Sequence, residues 1–67
     1  MPEKLFDVIA VNQKTRKIQF MAGAKTERNA EAIEKMAIMR RGLEEDFYLI
    51  VPEGTYKDGD TYRQKGA

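Results

Sequence analysis

The chain has 67 residues, 34% of them charged, a net charge of +1, and neither cysteine nor histidine. That length supports one domain with a marginal core, burying about 60% of its unfolded surface. Disulfides and ordinary His/Cys zinc sites are excluded, so only packing and association with another chain are left to stabilise it.

The apolar run after Met1-Pro2-Glu3-Lys4 is short and contains Asp7. It is too short for a signal peptide or a membrane span, so the expectation is a soluble cytoplasmic protein that stays off membranes. If the chain is phage-encoded, that is the host cytoplasm.

Strand one is predicted over Lys4 to Val11, with side-chain rows Phe6, Val8, Ala10 and Leu5, Asp7, Ile9, Val11. The polar stretch Asn12 to Arg16 reads as a turn. Strand two, Lys17 to Ala22, alternates cleanly, with Ile18, Phe20 and Ala22 facing inward. Two hairpin registers are open. A four-residue loop, Gln13 to Arg16, pairs Val11 with Ile18 and Ile9 with Phe20, and puts Asp7 on the inner face. A one-residue slip turns Asp7 outward. The cost of burying an unpaired carboxylate favours the slipped register. Either way strand one keeps an apolar row on the far side of the sheet.

A helix is predicted next. Thr26 is a good N-cap, Glu27 suits the first turn, Arg40 and Arg41 suit the last, and Gly42 is the stop. On a helical wheel Ala30, Ala32, Ile33, Met36, Ala37 and Met39 share one half-circle, which is expected to face the sheet. Two residues break the pattern. Ile38 lies in the polar arc and Arg40 in the apolar one.

Leu43-Glu44-Glu45-Asp46 leads into strand three, Phe47 to Val51, which Pro52 ends. Thr55-Tyr56 and Thr61-Tyr62 around Asp58-Gly59 read as a small hairpin. Residues 63–67 are expected to fray. The predicted architecture is a single α+β domain spanning residues 1–67. It has order β-β-α-β, a three-stranded antiparallel sheet in the order 2-1-3, one helix on one face, and room for a short C-terminal β-hairpin.

Catalytic chemistry finds no footing. There is no Ser, Cys or His, and Thr26 is committed to the helix cap. Glu44, Glu45 and Asp46 read as a solvated charge run rather than a paired-carboxylate site. Asp58-Gly59-Asp60 lacks the ligand spacing of a calcium loop, and Gly23 is isolated, so no phosphate cradle forms. No catalytic residue, metal or cofactor is therefore expected, and the protein is read as a non-enzyme that works by binding.

Two binding surfaces follow from the pattern. Both strands one and three are apolar on both rows, yet one helix can cover only one face. Leu5, Ile9 and Val11 beside Tyr48 and Ile50, together with Ile38, are the expected protein-contact residues, with another protein or a second copy as partner, unless the hairpin from Thr55 to Tyr62 folds back and covers this row. The alternative is nucleic-acid binding. Residues 1–28 hold six basic groups against three acidic, and residues 29–60 four against eight. Lys14, Arg16 and Lys17 at the hairpin tip, with Lys25 and Arg28 at the helix start, would hold phosphates. The aromatics are not interleaved with these cations, which disfavours stacking on bases.

The runs Lys25-Thr26-Glu27-Arg28-Asn29-Ala30-Glu31-Ala32-Ile33, Met39-Arg40-Arg41-Gly42 and Glu45-Asp46-Phe47-Tyr48, with the tail from Pro52 to Asp60, resemble small uncharacterised bacteriophage and prophage proteins. The resemblance spans most of the chain. It implies an accessory protein that binds a host or phage protein, and it supplies no functional motif and no site residue.

Overall fold

A computed structural model describes residues 4–63. The elements are β1 (Phe6–Asn12), β2 (Ile18–Lys25), α1 (Glu27–Arg41) and β3 (Asp46–Pro52). They form a three-stranded sheet in the order β2-β1-β3, both pairs antiparallel, with α1 on one face. The fold is α+β, as the sequence pattern implies. Of the terminal residues expected to fray, 64–67 lie outside the described residues.

The hairpin takes the register of the four-residue loop. Val11 pairs with Ile18 and Ile9 with Phe20. The Asn12 side chain accepts the N–H groups of Lys14 and Thr15, both at 2.9 Å, and Arg16 closes the loop at φ 65°. The slipped register, favoured for keeping Asp7 outward, does not occur. Asp7 is 3% exposed. Its burial is tolerated because the carboxylate is not left unpaired. Oδ1 accepts from the Ala24 N–H at 3.1 Å and Oδ2 from the Gly54 N–H at 3.0 Å.

β2 runs three residues further than the alternation suggests. The pairing shifts twice, between Ile9/Phe20 and Val8/Ala22 and again before Phe6/Lys25, so β2 carries two extra residues against β1. The second bulge contains Ala24 at φ 53°, which turns its N–H toward Asp7.

Helix α1 begins and ends where its caps require. Thr26 Oγ1 accepts the Asn29 N–H at 3.3 Å, and Gly42, at φ 71°, donates its N–H to Ile38 at 2.8 Å. The helix is rotated about its axis relative to the expected apolar face. Ala30 and Ala37 are the buried residues, Ile38 packs against the cluster of Ala10, Ala37 and Tyr48, and Met36 and Met39 are 52% and 85% exposed. Two alanines seven residues apart let the helix settle close to the sheet, where the Tyr48 ring already fills the volume. This rotation resolves both misfits on the wheel. Ile38 turns in and Arg40 turns out.

The far face of the sheet carries Ile9, Val11 and Ile18, with Phe47, Leu49 and Val51 beside them. The segment after β3 covers it. Tyr56 and Tyr62 pack on this cluster, and the Tyr62 ring meets Phe47 edge-on at 5.8 Å and 80°. This segment does not pair with itself as the expected hairpin. Lys57 to Asp60 make a turn with Gly59 at φ 90°, and Thr61 instead bridges Lys17. The surplus of apolar rows thus has its cover within the chain.

Candidate protein-docking surface

The expected protein-contact residues are mostly core. Ile9 and Val11 are fully buried, and Leu5 is half-buried on the same face. Ile38 lies between helix and sheet, Tyr48 is buried and Ile50 half-buried. Their side chains hold the fold together rather than offering a free apolar face.

The expected basic cluster is divided. Lys14, Arg16 and Lys17 sit at the hairpin tip, whereas Lys25 ends β2 and Arg28 lies in the first turn of α1, about 20 Å of strand away. The tip is also flanked by acid. Gln13 donates its N–H to the Glu45 carbonyl at 2.9 Å, and a cleft there is lined by Asn12, Lys14, Glu44 and Glu45. A second cleft brings Lys17 beside Glu45 and Asp46. On the other side, Asp58 and Asp60 bond the backbone of β2 at Phe20 and Ile18. Opposite charges this close cancel most of the field a polyanion would feel.

The rotation of α1 creates a surface that the sequence pattern did not single out. Met21, Ile33, Met36, Ala37, Arg40 and Arg41 line an apolar groove between α1 and β2. Met21 reaches it by alternation: Ile18 and Phe20, expected to face inward, pair with Val11 and Ile9 on the far side, so the other row of β2 lies under the helix. Arg41 lies 3.6 Å from Asp46, and no such partner is recorded for Arg40 among the described residues. Arg40 in the apolar arc was the sequence signal for this groove: a guanidinium there marks an arc open to water.

The two sheet edges differ. On β2 the outward groups from Arg16 to the Phe20 N–H are taken. Ile18 donates to Asp60 at 2.8 Å and accepts from Gly59 at 2.9 Å, Phe20 donates to Asp58 Oδ1 at 2.9 Å, and Arg16 accepts from Tyr62 at 2.7 Å. On β3 the ladder to β1 uses the odd positions, as Gln13 N–H to Glu45 and Glu53 N–H to Leu5 show. By alternation Asp46, Tyr48 and Ile50 direct their N–H and C=O groups away from the sheet. No hydrogen bond to these groups is recorded among the described residues.

Among the described residues no cluster of His, Cys, Asp or Glu is placed to hold a metal, and no helix is long and apolar enough to cross a membrane. No protein-family model, curated protein or solved structure matches the chain.

Proposed function

We propose that this chain is a non-enzymatic protein-binding module, and that the α1–β2 groove receives an apolar segment of its partner bearing a carboxylate. The observation that supports this is the side-chain set of the groove. Methionine is unbranched and polarisable and adapts to varied apolar shapes. Methionine and arginine are both enriched at protein interfaces. Arg40 stands over the groove and would pair with an acidic group of the bound segment, fixing its orientation. Nucleic-acid binding draws less support, since Glu44, Glu45, Asp46, Asp58 and Asp60 surround the basic tip.

The test uses two designed amphipathic helical peptides with the same leucine face, one with glutamates on its polar face and one with lysines. Methyl resonances of Met21 and Met36 are followed as each is added. Saturable shifts with the acidic peptide alone, reversed in preference by Arg40→Glu, are the expected result. Unchanged methionine methyls at millimolar acidic peptide would refute the reading.

A further inference from the structure

We propose that the open edge of β3 accepts an extended, basic segment of another protein as a fourth strand, giving the order β2-β1-β3-partner. This surface is separate from the α1–β2 groove, and either can fail without the other. A sheet edge with unpaired backbone groups is a template for strand addition, where main-chain hydrogen bonds bind and alternate side chains select. The C-terminal segment blocks the β2 edge from Arg16 to Phe20, and among the described residues nothing bonds the outward groups of β3. Between Asp46 and Pro52 that free edge carries no charge: Phe47, Tyr48, Leu49, Ile50 and Val51 are all apolar or aromatic. Pro52 has no N–H, and its carbonyl is already taken by Thr55 at 3.1 Å. The docking stretch is therefore short, bounded by Asp46 and Pro52 and centred on Tyr48 and Ile50.

Charge decides the occupant. Helix α1 presents Ile33, Met36 and Arg40 toward β2 and Ile38 toward Tyr48. Its 3.6-residue period then places Glu27, Glu31 and Glu34 on the Ile38 flank, above the β3 side of the sheet. Glu44 and Glu45 precede the strand and Glu53 follows it. Arg41 offsets Asp46 at the start of the strand, so the edge is apolar at its centre with acids in excess on its helix side and at both ends. A second copy is the wrong partner for it. Antiparallel self-pairing in any register brings the two acidic flanks together on one face of the sheet, and centred on Leu49 it also sets Glu45 opposite Glu53 of the second copy, where like charges destabilise a ladder. An extended segment with apolar residues at alternate positions and lysine or arginine between and beyond them meets the same edge with complementary charge, and the acids repel competing copies.

The experiment follows amide hydrogen exchange in the intact protein. The probes are two peptides of equal length, alternating valine with lysine or valine with glutamate. The Tyr48 and Ile50 amides should exchange freely alone and slow at least tenfold with the lysine peptide. The glutamate peptide should leave them unchanged. The surface variant E27Q/E31Q/E34Q should bind the lysine peptide roughly tenfold more weakly at low salt, from three lost charge contacts. The proposal is overturned if neither peptide protects these amides at millimolar concentration or both protect them equally. It is also overturned if they are already protected in a dimer detected by sedimentation without peptide. Should the triple variant bind the lysine peptide as tightly as the parent, charge does not select the occupant and the proposal falls.

Discussion

The Asp7 carboxylate holds the backbone N–H of Gly54 at 3.0 Å, 47 positions away in sequence. Through its other oxygen it holds Ala24, so one side chain on the central strand ties the β2 bulge to the turn after β3. Both tied segments contain positive φ values, 53° at Ala24 and 83° at Gly54. Glycine adopts such a φ freely, but alanine does not, and the carboxylate offsets the cost at Ala24 by giving its donor a charged acceptor.

Replacing Asp7 should therefore cost more than any surface change. Asp7→Ala strands two donors and removes charge-assisted bonds, a loss of about 3 kcal/mol. A domain this small has a total stability of only about 3–5 kcal/mol, so the variant should keep at most about 2 kcal/mol, read as a large drop in thermal midpoint by circular dichroism. Asp7→Asn keeps one acceptor but opposes an amide N–H to the second donor, and should lose about 2 kcal/mol in urea titration. Fast exchange of the Gly54 amide in the parent protein would show that the bond is not formed.

Gly23 is held small by its neighbours. A Cβ there would lie 2.7 Å from Phe20 Cζ and 3.2 Å from Asp7 Oδ1. The Phe20 ring is 38% exposed and has room to swing aside, whereas Asp7 is fixed by its two bonds. Gly23→Ala should destabilise by about 1 kcal/mol. In a Phe20→Ala background most of that cost should vanish, and a double-mutant cycle by urea denaturation measures the coupling. Equal cost in both backgrounds would assign the strain to Asp7 instead.

Much of the architecture was legible from short-range signals. Thr26, Gly42, Pro52 and the alternation in strand two placed the elements within about three residues, and the sheet order followed from strands one and three being apolar on both rows. The register was not legible, because the groups that satisfy Asp7 are backbone amides presented by a bulge and a turn. No side-chain pattern announces them. The buried face of α1 departs from the wheel because its apolar arc is wider than the contact the sheet offers. Packing chose the alanines, which allow close approach, over the methionines, and only Ile38 and Arg40 hinted at the rotation. The docking surfaces lay beyond sequence reasoning for the same reason. The groove depends on that rotation, and the open edge depends on which strand the C-terminal segment chose to cover.

That segment is a second point of fragility. Tyr62 packs on the cluster of Ile9, Val11 and Ile18 and touches both Phe47 and Tyr56, whose ring centroid lies 6.0 Å away. Tyr62→Ala removes this cover and loosens the strap on the β2 edge. A loss of about 2–3 kcal/mol is expected from thermal unfolding, in the range of large-to-small aromatic changes at a half-buried site. The Ile18 amide, held by Asp60, should lose exchange protection before the amides of β1 do. If it keeps its protection in the variant, the segment is anchored by its backbone bonds alone.

Tyr48 presents the opposite case, a buried polar group without a partner. The residue is 6% exposed, packs against Ala10 and Ala37, and its hydroxyl meets no hydrogen-bond acceptor or donor among the described residues. An unsatisfied buried hydroxyl carries a desolvation cost of about 1–3 kcal/mol with nothing to offset it. Tyr48→Phe removes the oxygen and keeps the ring that sets the helix-to-sheet distance. It should leave the protein equally stable or stabilise it by up to about 1 kcal/mol, read as a rise in the urea midpoint at unchanged slope. A drop in stability would mean that the hydroxyl has a partner in solution. Because Tyr48 also offers its backbone to the open edge, the same variant separates the two roles of the residue: side-chain stability should change while lysine-peptide binding at β3 does not.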